Sequence, residues 1–175
     1  RQWVGRLGMK CFRKPMEVAE QDKLCALVDA VMKDGASPTE AISLVAEALL
    51  CSPKFLFIGG ADGVGQEENG SVAVDEFTLA SRLSYFLWSS TPDDELLKQA
   101  REGTLRKNLD AQVRRLINDW KAQSMAENFA GQWLQLRDVE LVQPNPRRFP
   151  DFQGGLASSM KRESQMFFDY ILRGN

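Results

Sequence analysis

The 175-residue sequence predicts an all-α protein, a helical bundle of six or seven helices with an N-terminal helical hairpin. Two observations lead to this fold class. Apolar residues recur at spacings of three and four through most of the chain, which is the period of an amphipathic helix. Residues that start and stop helices, namely Ser, Thr, Asp, Gly and Pro, fall between these apolar segments.

The N-terminal part is predicted to contain three helices. The first covers residues 2–13 and the second covers 17–34. Ser37 is the predicted N-cap of the third helix, because Glu40 three residues later completes a capping box and Pro38 suits the first helical position.

A domain boundary is predicted after these helices. The short apolar run 54–58 is expected to be extended, and the segment GGADGVGQEENGS (59–71) is rich in glycine and has no hydrophobic period. We therefore predict an N-terminal helical segment over 1–60, a glycine-rich linker or loop over 61–72, and a main helical domain over 73–175. We expect the main domain to be truncated at its C-terminus.

The main domain is predicted to open with a helix that follows Asp75 and is apolar over more than half of its circumference. The acidic cluster STPDDE (90–95) comes next. Thr91 is the predicted N-cap of the following helix, and Asp93 and Asp94 place negative charge at the positive end of the helix dipole. Capping accounts for this cluster without a catalytic role.

Further helices are predicted to follow Asn108 and Ser124. Ser124 is the expected N-cap of its helix, because Glu127 again completes a capping box. Three prolines make 142–152 an irregular crossing. The last helix is predicted over 155–173, with one stripe composed of Leu156, Met160, Glu163, Phe167 and Ile171.

One structural ion pair is predicted. Glu163 lies in the apolar stripe of the last helix, and Arg82 lies on the most apolar helix of the chain. Burying either charge alone would be costly, so we predict that Arg82 and Glu163 pair, with a bidentate contact as the natural geometry.

The absence of histidine restricts the chemistry of this chain. It excludes His general acid–base catalysis, Ser-His and Cys-His nucleophile pairs, and His-ligated zinc or haem. Cys11, Cys25 and Cys51 are too far apart in sequence for a CxxC motif, so a cysteine zinc site and c-type haem attachment are not encoded here. Each lies among apolar neighbours, and we predict three core thiols.

The charge pattern argues against nucleic acid and membrane partners. Lys and Arg total 22 against 24 Asp and Glu, a net charge of −2. The basic stretch 106–121 contains Asp110 and Asp119, which is typical of a solvated helix face. No run is apolar enough to span a bilayer.

Two further features resemble binding sites. The glycine-rich loop lacks the P-loop register, its Glu67 and Glu68 would repel phosphate, and its oxygen donors lack EF-hand spacing for calcium. A linker is therefore favoured. The tryptophans on apolar faces, Trp88, Trp120 and Trp133, are predicted to pack in the core, with a sugar-stacking or cofactor platform as the alternative.

Several segments resemble two families of domains of unknown function. KCFRKP (10–15) and LLCSPKFLF (49–57) resemble the first family. LASRLSYFLWSSTPDDELL (79–97), NFAGQWLQLRDV (128–139) and FPDF (149–152) resemble the second. The two families usually lie side by side in large multidomain proteins of Planctomycetes and some other bacteria, often with an N-terminal c-type cytochrome domain.

This resemblance implies a non-catalytic structural or interaction module of an exported, cytochrome-associated bacterial multidomain protein. The expected partners are neighbouring domains of the same polypeptide, in the periplasm or cell envelope. Haem is expected only in other domains, and this chain is expected to hold no cofactor, metal or catalytic residue. Two alternatives stay open: part of an enzyme whose active site neighbouring domains complete, and a cofactor-binding module with Met, Tyr or carboxylate ligands instead of His.

Overall fold

The computed structural model describes residues 1–58, 73–152 and 155–174. Within these ranges seven α-helices have nine or more residues and no segment forms a β-strand, so the all-α prediction is confirmed. The α-helices in chain order are α1 (Gln2–Phe12), α2 (Val18–Lys33), α3 (Pro38–Leu50), α4 (Pro53–Leu56), α5 (Glu76–Trp88), α6 (Asp94–Glu102), α7 (Leu109–Asn118), α8 (Gln123–Met125), α9 (Gly131–Trp133) and α10 (Leu156–Gly174).

Backbone contacts divide the chain into two compact units. Unit 1 comprises Arg1–Leu83 and Thr91–Lys107, and unit 2 comprises Ser84–Ser90 and Asn108–Asn175. Helix α5 contributes residues to both units. The predicted linker over 61–72 lies outside the described residues, so the sequence-based division of the chain stays a prediction.

The N-terminal core of unit 1 forms where α1, α2, α3 and α4 meet. Helices α2 and α3 pack against each other across a short loop, in which Gly35 has a φ of 94° that favours glycine. Gly8 allows close packing, since a Cβ there would lie 1.7 Å from the sulfur of Met16. The buried residues of this core are Val4, Phe12, Met16, Val45 and Leu49.

Short helices in unit 1 begin at well-formed caps. Ser37 precedes α3, where its Oγ accepts from the Glu40 N–H at 3.3 Å and the Ser37 N–H donates to the Glu40 carboxylate at 2.7 Å. The prediction that 54–58 is extended was wrong for its first residues, because Pro53–Leu56 forms α4. Ser52 caps this helical turn and Pro53 has the φ that a first helical position needs.

A buried arginine satisfies the end of α4. Arg13 follows α1 with a φ of 60° and is 5% exposed. Its guanidinium donates to the carbonyl oxygens of Lys54 at 2.7 Å, Phe55 at 3.2 Å and Phe57 at 3.1 Å. Carbonyls in the last turn of a helix have no partner inside that helix, so Arg13 supplies the hydrogen-bond donors that the helix backbone lacks.

Two predicted caps are corrected by the structure. Asp93, not Thr91, is the N-cap of α6, and its Oδ1 accepts from the Leu96 N–H at 2.9 Å. The helix starts two residues later than predicted because the carboxylate of Asp93 is placed to receive that amide. Ser124 starts no helix. It lies within α8, inside a continuous helical stretch over 120–133.

The core of unit 2 is organised around Trp88, which is 2% exposed. Its indole N–H donates to the carbonyl oxygen of Leu116 in the last turn of α7, at 2.9 Å. The ammonium of Lys121 lies 4.5 Å from the Trp88 ring centroid, within the range of a cation–π interaction. Helix α10 packs on α7, on the π-helical turn Ala126–Ala130 and on the 3₁₀ turn Asp138–Leu141.

Substitution of Arg13 by Ala should destabilise unit 1 strongly. The change leaves three carbonyls at the end of α4 without their charged donor, and we expect the free energy of unfolding to fall by roughly 3 kcal/mol. Urea denaturation followed by circular dichroism measures this. The exposed neighbour Lys14→Ala is the control and should change stability by less than about 0.5 kcal/mol. Equal losses in the two variants would contradict the capping role of Arg13.

The position of the α6 cap can be tested by a pair of variants. Asp93→Ala removes the acceptor for the Leu96 N–H and should cost about 1 kcal/mol of stability. Thr91→Ala should cost clearly less, because Thr91 lies outside the cap. If Thr91→Ala proves the more destabilising of the two in urea denaturation, the assignment of Asp93 as the cap is wrong.

Candidate functional site

A groove of about 730 Å³ in unit 2 is the candidate functional site. It lies between the helical stretch that follows α7 and the second half of α10. The residues that line it are Asn118, Trp120, Gln123, Ala126, Glu127, Arg162, Gln165, Met166, Asp169, Tyr170, Arg173 and Gly174.

Two aromatic rings stand exposed at this groove. Trp120 is 77% exposed and Tyr170 is 76% exposed. Trp120 begins a 3₁₀ turn that Asp119 caps, since Asp119 Oδ1 accepts from the Lys121 N–H at 2.9 Å. This cap sets the backbone direction at Trp120. An exposed aromatic side chain in a concave surface is available to a ligand.

The prediction that all three tryptophans pack in the core was right for Trp88 and wrong for the others. Trp120 lies in the groove, and Trp133 is 67% exposed. In unit 2, Phe129 lies between the rings of Phe86 and Trp133, with centroid distances of 6.1 and 5.9 Å. Helical spacing places apolar residues on one face, but it does not reveal which faces the rest of the chain covers.

Charged side chains in the groove are arranged in pairs. Arg173 Nε donates to both carboxylate oxygens of Asp169, at 3.0 and 2.9 Å, and its terminal nitrogen donates to the Asp119 carbonyl oxygen at 3.3 Å. The side-chain amide of Gln123 donates to Glu127 Oε1 at 2.7 Å. These contacts hold both carboxylates in place at the groove wall.

Gln165 is the buried polar residue of the groove, with 9% of its surface exposed. Its side-chain amide makes no hydrogen bond to any residue in the described ranges. The described residues contain no buried side-chain polar atom without a partner, so the amide end of Gln165 reaches solvent although most of the residue is buried. Its amide therefore offers N–H donors and an acceptor oxygen to the groove.

A π-helical turn shapes one wall. Ala126–Ala130 forms this turn in the middle of the helical stretch, and it places Ala126 and Glu127 on the groove. Such turns are rare and occur frequently at functional sites. Sequence reasoning treated this region as a helix start at Ser124 and missed the π turn. An apolar spacing that fits 3.6 residues per turn does not signal one extra residue in a turn.

Three charged residues singled out from the sequence, Arg82, Asp94 and Glu163, line different cavities. Arg82 lines a pocket of about 330 Å³ in unit 1 with Phe12, Lys14 and Phe77. Asp94 lies at a second cavity of unit 1, where its carboxylate is 3.2 Å from the ammonium of Lys10. Glu163 borders a depression on α10 in unit 2.

Both members of the predicted Arg82–Glu163 ion pair are exposed. Neither charge is buried, so the cost of burying an unpaired charge does not require them to pair. Arg82 belongs to unit 1 and Glu163 to unit 2. The pairing itself stays a prediction.

The cysteine prediction also needs correction. Cys11 and Cys25 are half-buried beside the core of unit 1, whereas Cys51 is exposed at the end of α3. Burial raises the pKa of the Cys11 thiol, although the nearby charge of Arg13 opposes the shift. All three cysteines are free thiols.

Metal and membrane features are absent from the described ranges. Residues 1–58, 73–152 and 155–174 contain no cluster of three or more Cys, Asp or Glu side chains placed to hold a metal ion. In the same ranges, no helix is both long and apolar enough to cross a bilayer. The loop weighed for calcium lies outside the described residues.

Comparison with known proteins identifies two families. Residues 74–175 match PSD4, protein of unknown function (DUF1592), and residues 1–59 match PSD5, protein of unknown function (DUF1595). The predicted pair of families of unknown function is therefore confirmed. No curated protein and no solved structure matches the chain.

Acid should weaken the cap at Asp75, which precedes α5. Burial raises the pKa of its carboxyl, but hydrogen bonds from the Thr78 side chain and from the Thr78 and Phe77 amides outweigh burial and lower it overall. A depressed folded-state pKa adds stability above the unfolded value of about 3.9, and this stability is lost as pH falls through the folded value.

The test compares the wild type with Asp75→Asn in urea at pH 6 and at pH 2.5. Wild type should be the more stable at pH 6, and the difference should shrink at pH 2.5 because the stability that a lowered folded-state pKa gives is lost as the pH falls. Asp110→Asn, at an exposed position on α7, is the control and should show no such convergence. A stability difference at Asp75 that is independent of pH would contradict the charged cap.

Proposed function

The chain belongs to the PSD4 family of proteins of unknown function, and on this premise we propose that it is a non-catalytic interaction module of a bacterial multidomain protein. One observation carries the proposal. The stripe of α10 faces solvent: its apolar residues are Leu156 (39% exposed), Met160 (46%), Phe167 (65%) and Ile171 (50%), and the exposed Glu163 lies among them.

The stripe lies apart from the face that α10 uses within unit 2. Gln165 is buried, and Phe168 lies 6.1 Å from Phe129 between ring centroids. At about 100° per residue, Phe167 lies about 160° from Gln165 and about 100° from Phe168 around the helix, so it is on a different side of α10. The stripe is therefore an additional apolar face of α10 that the rest of unit 2 leaves open.

An exposed apolar face of this kind favours contact with another folded surface. Large contiguous apolar patches are rare on monomeric proteins and mark interaction sites. We propose that the partner is a neighbouring domain of the same polypeptide. The reason is the expectation that the two matched families occur together in longer chains. Phe167 would be the central anchor, because it is the largest and most exposed side chain of the stripe.

The wider setting of the proposal comes from the family resemblance. The parent protein would be an exported protein of the periplasm or cell envelope, from Planctomycetes or related bacteria, with a c-type cytochrome domain. Any haem would be bound by that other domain. In this setting the present chain would hold neighbouring domains in position without contributing catalytic groups.

Oxidative footprinting of methionine tests whether neighbouring domains cover the α10 stripe. Met160 in the stripe and Met32 in unit 1 have nearly equal exposure, 46% and 45%, so Met32 is a matched control. In a longer polypeptide that includes the neighbouring domains, Met160 should oxidise several-fold more slowly than in the 175-residue chain. Met32 should oxidise at the same rate in both.

A variant links this protection to the stripe itself. Phe167→Glu in the longer polypeptide places a charge in the proposed interface and should restore rapid oxidation of Met160 without affecting Met32. If Met160 oxidises equally fast with and without the neighbouring domains, the proposed interaction surface is wrong.

A further inference from the structure

We propose that the groove of unit 2 binds a neutral oligosaccharide. This site is separate from the α10 stripe and involves no residue on which the proposed interaction surface depends. The proposal rests on three features of the groove: its exposed rings, its balanced charges and the solvent-accessible amide of Gln165.

The exposed rings supply apolar faces of the right kind. Trp120 and Tyr170 contribute the indole and phenol of the groove, each about three-quarters exposed. A pyranose ring has flat faces of C–H groups that pack on an aromatic ring, while its hydroxyls stay at the edge. Aromatic residues with a polar atom suit this contact, since one part of the ring is apolar and another can form a hydrogen bond.

The charges around the rings favour a ligand without net charge. Two carboxylates, Glu127 and Asp169, and two guanidinium groups, Arg162 and Arg173, line the groove. Their formal charges cancel, so the groove offers no field that would select a phosphate or a polycation. Carboxylates accept hydrogen bonds and guanidinium groups donate them in planar pairs, which matches the adjacent hydroxyls of a sugar.

Part of this polar set is already oriented. Asp169 is held by two hydrogen bonds from Arg173, and Glu127 is held by Gln123. Arg162, in contrast, is exposed and makes no hydrogen bond or ion pair within the described residues. Side chains fixed before binding lose little conformational freedom when a ligand arrives.

Gln165 adds hydrogen-bonding groups to the groove. Most of the residue is buried, but its amide reaches solvent and makes no hydrogen bond to another residue in the described parts of the chain. Sugar hydroxyls can both accept from and donate to an amide, so a bound sugar would replace water at this group.

A peptide ligand fits this groove less well. Helices form both walls, so no strand edge is present there to pair with an extended peptide. Recognition of an amphipathic helix requires a row of apolar contacts, but most groove residues are polar or charged. A proline-rich peptide is the remaining peptide class, because such peptides bind on exposed aromatic rings.

Isothermal titration calorimetry tests the proposal with five neutral hexasaccharides, built from β-glucose, α-glucose, xylose, mannose or N-acetylglucosamine. We expect at least one to bind the 175-residue chain with a Kd of about 1 mM or tighter. Trp120→Ala should weaken that binding by about tenfold or more. Trp133→Ala is the matched control, since Trp133 is also an exposed tryptophan of unit 2 and lies outside the groove, and it should bind like wild type.

Two further variants and one competing ligand complete the experiment. Gln165→Leu and Arg162→Ala should each weaken binding several-fold. Arg162 is exposed, so Arg162→Ala keeps the test valid if Gln165→Leu impairs folding. Decaproline is the competing ligand. The proposal is overturned if no hexasaccharide binds, if Trp133→Ala weakens binding as much as Trp120→Ala does, or if decaproline binds through Trp120 while the sugars do not.

Discussion

The constraint on which this structure depends is the satisfaction of helix termini. In the described residues the backbone is organised as short helices, and each helix leaves amides at its start and carbonyls at its end without internal partners. Ser37 and Asp93 accept from amides, whereas Arg13 and Trp88 donate to carbonyls near the ends of α4 and α7. Arg13 and Trp88 are buried, so the capping contacts form part of each core.

The same requirement gives the groove of unit 2 its shape. Asp119 caps the turn that begins at Trp120, and the carbonyl of Asp119 accepts from Arg173 on α10. These contacts connect the two walls of the groove through the peptide unit next to Trp120. The bifurcated hydrogen bond from Arg173 Nε to both carboxylate oxygens of Asp169 then fixes the polar side of the groove. Groups that end one helix therefore also position the residues of the candidate site.

Three tryptophans on predicted apolar helix faces have different environments in unit 2. Trp88 is buried and hydrogen-bonded, Trp120 lies in the groove, and Trp133 packs against Phe129 while largely exposed. A tryptophan at a helical spacing predicts an apolar face, but burial requires a second surface that covers it. The exposed stripe of α10 illustrates the same point, since its period is regular and its face is open.

The sequence by itself determined the helical class, the family pair and most helix boundaries, because period and cap residues act over a few neighbouring positions. Ser37 and the start of α3 belong to this local information. Only the tertiary structure decided which apolar faces are buried, which residue of the cluster 90–95 caps α6, and that Trp120 and Gln165 line one groove. These outcomes depend on contacts between residues far apart in the chain, such as Arg173 with Asp119. Local sequence patterns do not predict such contacts.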